Sequence, residues 1–102
     1  MKLLEGKTAI ITGASRGIGK AIALRFASEG CNIAFTDLFD DDNMKATMEE
    51  LNEFGIKAKG YPSDASKCDQ TESVVTRIVE EFGRIDVLVN NAGITKDNLL
   101  MR

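Results

Sequence analysis

Four short apolar runs alternate with three helical stretches along this chain, and that alternation decides most of what it can fold into. Thr8–Thr12 (TAIIT) is apolar and partly β-branched, the pattern of a strand buried on both faces. Gly17–Glu29 carries Ile18, Ile22 and Phe26 at helical spacing, with Ala21, Ala23 and Ala27 beside them, and Gly30 stops it. Asn32–Asp37 (NIAFTD) reads as a second strand. Asp40, Asp41 and Asp42 suit a helix N-terminus, where carboxylates meet the positive end of the dipole. The helix beyond them carries Met44, Met48 and Leu51 and ends at Gly55. Lys57–Tyr61 is a weaker third strand. Ser66 and Asp69 have capping-box spacing. The helix that follows is the most periodic, with Val74, Ile78 and Phe82 flanked by Val75 and Val79, and Gly83 closes it. Asp86–Asn90 (DVLVN) is a fourth strand. Parallel neighbours need crossover connections, so this order implies an α/β fold, a parallel sheet with helices packed on it.

Size and composition narrow the function. At 102 residues the chain is at most one domain, with no linker or low-complexity stretch inside it. It has no His, which excludes a Ser-His-Asp triad, a Cys-His pair and a His-based metal site. Thirteen basic against 16 acidic side chains give a net charge of −3, the wrong sign for a nucleic-acid binder. Cys31 and Cys68 lack metal-like spacing and read as reduced thiols of a cytoplasmic protein. The apolar run in MKLLEGK is too short for a signal peptide, and no segment approaches a membrane span.

The informative segment is Thr12-Gly13-Ala14-Ser15-Arg16-Gly17-Ile18-Gly19, between the first strand and the first helix. Gly13 lets the chain turn sharply off the strand. Gly17 lets backbone approach a pyrophosphate, and Gly19 lets the helix pack close to the sheet. The helix N-terminus offers free N–H groups to an anion. The spacing is GxxxGxG, neither GxGxxG nor a Walker loop. The bland alternative is a turn used only for tight packing. The preceding strand, the following helix and the acid ending the next strand favour a nucleotide. A receiver-like signalling domain would use Asp37, Asp64 and Asp86. Asp86 starts its strand instead of ending it, and the glycine turn would then be unexplained.

The TGASRGIG turn, together with Asn90-Asn91-Ala92-Gly93 at the end of the fourth strand, resembles the short-chain dehydrogenase/reductase family. Within it, the chain is most similar to 3-oxoacyl-acyl-carrier-protein reductases, including the stretch Gly93 to Arg102. The resemblance implies a Rossmann-type sheet in the order 3-2-1-4, here as its N-terminal half. It implies an NAD(P)-dependent oxidoreductase that reduces a 3-oxoacyl thioester in fatty acid biosynthesis. Gly13, Ser15, Arg16, Gly17, Ile18 and Gly19 match the loop around the cofactor pyrophosphate and adenosine ribose. Asp64 and Ala65 match an Asp-Val pair flanking the adenine, with Ala in place of Val leaving less apolar surface. Asn90, Asn91, Ala92 and Gly93 match the segment that steadies the sheet and lines the nicotinamide-side ribose. For Asn91 a purely structural role, tying neighbouring strands together, is the alternative. The family commonly forms homotetramers, and its substrate here would be carried on acyl carrier protein.

Asp37 ends the second strand, 24 positions after Gly13. A carboxylate there can accept hydrogen bonds from both adenosine ribose hydroxyls, which favours NAD. A 2′-phosphate would meet a like charge. Arg16 points the other way, since a basic residue before the second glycine accompanies NADP use in the family. Ketoacyl reductases of this type usually prefer NADPH and lack an acid at this strand end, so Asp37 departs from their pattern. The expectation is NAD over NADP.

The family's catalytic Asn-Ser-Tyr-Lys set falls beyond Arg102, so no catalytic residue is placed in this chain. Tyr61 is the only Tyr, and the residue four positions on is Ala65, not Lys. The expectation is therefore a fragment of a longer chain, inert alone, with the fourth strand left as an apolar edge. The alternatives are a non-catalytic dinucleotide-binding module, complete as it stands, or a short-chain dehydrogenase with a different alcohol or ketone substrate.

Overall fold

In a computed structural model, which describes residues 3–15, 17–64 and 67–91, the elements run β1 (Thr8–Thr12), α1 (Gly17–Ser28), β2 (Asn32–Asp37), α2 (Asp42–Asn52), β3 (Ala58–Pro62), α3 (Cys68–Phe82) and β4 (Val87–Val89). The four strands form one parallel sheet in the order β3-β2-β1-β4. This is the Rossmann-type sheet, in the order 3-2-1-4, that the family resemblance implies. β1 lies between β2 and β4, which is why its side chains are apolar on both faces.

Strand alternation sorts the core into two layers. Ala9, Ile11, Ile33, Phe35 and Ala58 point to one face, under α1 and α2. Ile10, Ala34 and Tyr61 point to the other, under Val74 and Ile78 of α3. Helices therefore cover both faces. Among the described residues no helix is long and apolar enough to cross a membrane.

α1 differs from the sequence reading in the face it buries, while α2 and α3 bury most of the residues read for them. On α1 the buried stripe is Gly19, Ala23 and Ala27, while Ile18 is 73% exposed and Ile22 and Phe26 only flank the core. Small side chains win because they let the helix axis approach the sheet. On α2 the buried stripe is Met44, Thr47 and Leu51, with Met48 half-buried. Asp41 is its N-cap, its carboxylate accepting from the Met44 N–H at 3.1 Å. α3 buries Val74 and Ile78, leaves Val79 exposed and ends on Gly83, whose N–H donates to the Val79 carbonyl at 2.8 Å. Its N-cap position is Lys67, which makes no side-chain cap, while Ser66 lies outside the described residues.

The strand ends shift as well. β3 starts one residue later than expected, and β4 is three residues long instead of five. Asp86, just before β4, still donates its N–H to the Thr8 carbonyl at 2.8 Å, and its carboxylate clamps the sheet edge. Its carboxylate accepts from the Thr8 N–H at 2.9 Å and from the Arg84 guanidinium at 2.7 and 2.8 Å. Arg84 and the Thr8 N–H hold the Asp86 carboxyl below the usual carboxylate range. Leu88 on this edge is 66% exposed. Both cysteines are free thiols, Cys31 buried and Cys68 exposed.

Candidate functional site

The carboxyl ends of β1 and β2 carry the site. β1 runs into Gly13, whose φ of +68° turns the chain off the sheet in a conformation that favours glycine. The N–H groups of Gly13 and Ala14 both donate to the Thr36 carbonyl, at 2.7 and 3.2 Å, so the turn is stitched to the end of β2. The Ser15 N–H donates to Asp37 Oδ2 at 3.1 Å. The other oxygen of Asp37 accepts from the Leu38 N–H at 2.8 Å, and its carbonyl accepts from the Ser63 N–H at 2.7 Å. Asp37 thus fastens the glycine turn, its own loop and the end of β3 together. Each carboxylate oxygen takes one of these bonds and keeps further acceptor capacity.

The glycines of the turn have separate reasons. At Gly17, φ is +64°, a conformation that favours glycine, and among the described residues nothing lies within 4 Å of where a Cβ would sit. At Gly19 the opposite holds. A Cβ there would collide with the Gly13 carbonyl oxygen and come within 2.5 Å of Asn91 Nδ2. The close packing expected of Gly19 is therefore made onto the turn itself and onto Asn91. The Asn91 amide donates to the Gly13 carbonyl at 3.1 Å, linking the end of β4 to the turn across β1. Asn90 is exposed, and its Oδ1 accepts from the Thr12 hydroxyl at 3.2 Å.

One polar atom here lacks a partner. Ser15 is 3% exposed, and its hydroxyl oxygen is buried without a hydrogen bond among the described residues. Such atoms are uncommon in folded proteins and mark positions where a ligand or water completes the structure. Beside the turn, over the other face of β1, lies a cleft of about 150 Å³ lined by Ile10, Thr12, Thr36, Ser63, Val74 and Leu88. That is smaller than the ~300–1,000 Å³ of pockets that enclose a whole small molecule.

The structure thus brings together Gly13, Ser15, Gly17, Gly19, Asp37 and Asn91, with Ile18 exposed on the first turn of α1. Asp64 stands one residue beyond Ser63, its N–H donating to the Gln70 side chain at 2.8 Å. Arg16, Ala65, Ala92 and Gly93 lie outside the described residues. Sequence reasoning missed Thr36, Ser63 and Thr47. The Thr47 hydroxyl donates to the Ser15 carbonyl at 3.0 Å. The available signal was a hydroxyl in the middle of α2's apolar stripe.

A parallel sheet entered by a glycine turn, with an acid ending the second strand, defines a Rossmann-type α/β protein with its site at the carboxyl edge of the strands. Residues 7–101 match the short chain dehydrogenase family. The chain belongs to that family. It is 47% identical over 96 residues to a 3-oxoacyl-(acyl-carrier-protein) reductase FabG of Staphylococcus epidermidis, covering 94% of this chain and 39% of that protein. It is 46% identical over 99 residues to the FabG of Thermotoga maritima, covering 97% and 40%. Carveol dehydrogenase from Mycobacterium avium in complex with NAD superposes with a TM-score of 0.86 at 28% identity, over 92% of this chain and 38% of that one. The chain spans about two-fifths of the length of the curated relatives it matches.

Proposed function

We propose that this chain is the cofactor-binding part of an NAD(P)-dependent short-chain reductase, and that the whole protein reduces a 3-oxoacyl thioester carried on acyl carrier protein. The observation that carries the cofactor reading is the buried, unpartnered Ser15 hydroxyl within the glycine turn. It lies two residues before Gly17, whose added Cβ would meet nothing among the described residues. A nicotinamide dinucleotide fits these residues. Gly13, Ser15, Arg16, Gly17, Ile18 and Gly19 would hold its pyrophosphate and adenosine ribose. Asp64 and Ala65 would flank the adenine. Asn90, Asn91, Ala92 and Gly93 would line the nicotinamide side. When bound, the reduced cofactor supplies a hydride for a carbonyl carbon.

This chain's own share of the chemistry is binding and orientation. The N–H groups at the start of α1 and the Ser15 hydroxyl offer donors to an anionic group. Asp37 offers acceptors to vicinal hydroxyls, and its charge repels a 2′-phosphate. The acidic residues Asp40, Asp41 and Asp42 add to that field. These features support NAD over NADP. The substrate assignment is supported by the FabG relatives. Their greater length supports a longer parent protein that supplies the Tyr and Lys of the reaction. A cytoplasmic homotetramer is the assembly in keeping with that family.

Titrating the full-length protein with NADH and with NADPH, followed by nicotinamide fluorescence, tests this. NADH should bind at least about tenfold more tightly, the equivalent of roughly 1.4 kcal/mol of repulsion at Asp37. Tighter NADPH binding would overturn the preference. Binding of neither would overturn the cofactor reading. Oxidation of the preferred cofactor on adding acetoacetyl thioester checks the substrate class, and no turnover with any 3-oxoacyl thioester would remove it.

A further inference from the structure

We propose that Thr47 is a positioning residue of this site, its hydroxyl holding the glycine turn in the shape that receives the dinucleotide. The inference rests on the cofactor reading above. Thr47 lies on α2, outside every motif of the sequence, and is fully buried between Met44 and Leu51 on the helix's buried stripe. An apolar residue would serve that place better unless the hydroxyl had a partner. Helical threonines commonly return their hydroxyl to the carbonyl four residues back. Thr71 and Thr76 of α3 do so, onto Lys67 and Glu72 at 3.2 and 3.0 Å. Thr47 instead reaches 32 residues back in sequence to the Ser15 carbonyl.

The consequence is a clamp on one residue. The Ser15 N–H is taken by Asp37 and its carbonyl by Thr47, from two different elements. With both backbone groups fixed, the only polar group Ser15 has left is its unpartnered hydroxyl. Gly13 is held likewise, its N–H on the Thr36 carbonyl and its carbonyl on Asn91. A turn whose backbone groups are already taken is preorganised, and binding then loses less freedom. α2 itself is anchored by the Asp41 cap and by the Lys20–Glu50 ion pair to α1 at 2.6 Å.

The test uses two variants of the full-length protein that separate hydroxyl from packing. Thr47→Val keeps the branched shape and removes the donor. Thr47→Ser keeps the donor and removes a methyl group. Thr47→Val should weaken NADH binding by up to about fivefold, the most that one neutral hydrogen bond is worth, and should also melt earlier, because the buried Ser15 carbonyl loses its partner. Thr47→Ser should melt earlier and bind NADH within about twofold of wild type, if the hydroxyl is what matters. Loss of affinity in Thr47→Val alone, while both variants melt earlier, is something a packing role does not produce. Equal affinity in Thr47→Val and wild type overturns the proposal, as does affinity that simply follows melting temperature. Amide hydrogen exchange at Ser15 in cofactor-free protein is the second readout. It should quicken by up to about fivefold in Thr47→Val and stay near wild type in Thr47→Ser, because the local opening that frees the Ser15 N–H from Asp37 would no longer have to break the Thr47 bond. Unchanged exchange in Thr47→Val overturns the clamp. Should wild type bind no dinucleotide, the cofactor reading fails and with it the purpose assigned to Thr47, while exchange still shows whether the clamp exists.

Discussion

Replacing Gly19 by Ala asks the structure to make room where it has none. The added methyl would press on the Gly13 carbonyl oxygen, come within 2.5 Å of Asn91 Nδ2 and lie 2.9 Å from the Gly13 carbonyl carbon. Two of these neighbours are backbone of a turn pinned to β2, so they cannot swing aside as a flexible side chain would. The third is the amide that donates to that same carbonyl at 3.1 Å. Overpacking of this kind costs roughly 1–3 kcal/mol, and losing the Asn91–Gly13 bond adds about 1 kcal/mol. Against this, Ala gains at most about 1 kcal/mol over Gly in a helix. The net expectation for Gly19→Ala is a loss of about 2 kcal/mol. With a urea slope near 2 kcal/mol per molar, the unfolding midpoint of the full-length protein should fall by about 1 M. Fluorescence-monitored urea unfolding measures it. A midpoint equal to wild type, or higher, would show that α1 can move off the turn freely and would refute the packing argument.

Two pH dependences follow from side-chain pairs away from the site. Tyr61 is fully buried, and burial, reinforced by its hydrogen bond to Glu81, raises its phenol above the ordinary range. The unfolded chain therefore releases this proton first, so stability should fall as pH rises past about 10. Tyr61→Phe should flatten that alkaline limb in pH-dependent thermal melts, and an unaltered limb would refute the assignment. Asp86 has its carboxyl lowered, chiefly by Arg84 and then by the Thr8 N–H. It contributes stability above its unfolded value of about 4, and that contribution is lost as pH falls below it. Asp86→Asn should therefore reduce the difference between melts at pH 7 and pH 3. An identical difference would mean the clamp on β4 adds nothing.

Much of the architecture was legible because it rests on local patterns. β1 and β2 fall on the runs read as TAIIT and NIAFTD, since a strand buried on both faces is apolar without interruption. Gly83 marked the end of α3 because a left-handed cap needs no knowledge of the rest of the fold. Where helices met the sheet, the reading slipped. Ile18, Ile22 and Phe26 looked like the buried face of α1, yet the chain buries Gly19, Ala23 and Ala27. Hydrophobicity favours the large residues, but close approach to the turn selects Gly19 and close approach to the sheet selects Ala23 and Ala27. β4 lost its two end residues to side-chain roles, Asp86 as a clamp and Asn90 as an acceptor for Thr12.

The site divides in the same way. The sequence by itself determined the glycine turn and the acid that ends β2, through local backbone demands and charge, while the Asn pair after β4 was legible only through the resemblance to the family. Only the tertiary structure decided how they connect. Asp37 bonding Ser15, Asn91 bonding Gly13 and Thr47 bonding Ser15 join residues 22, 78 and 32 positions apart. Such contacts leave no period or spacing in a sequence. They arise when the parallel sheet sets the ends of β1, β2 and β4 side by side and α2 settles over the turn.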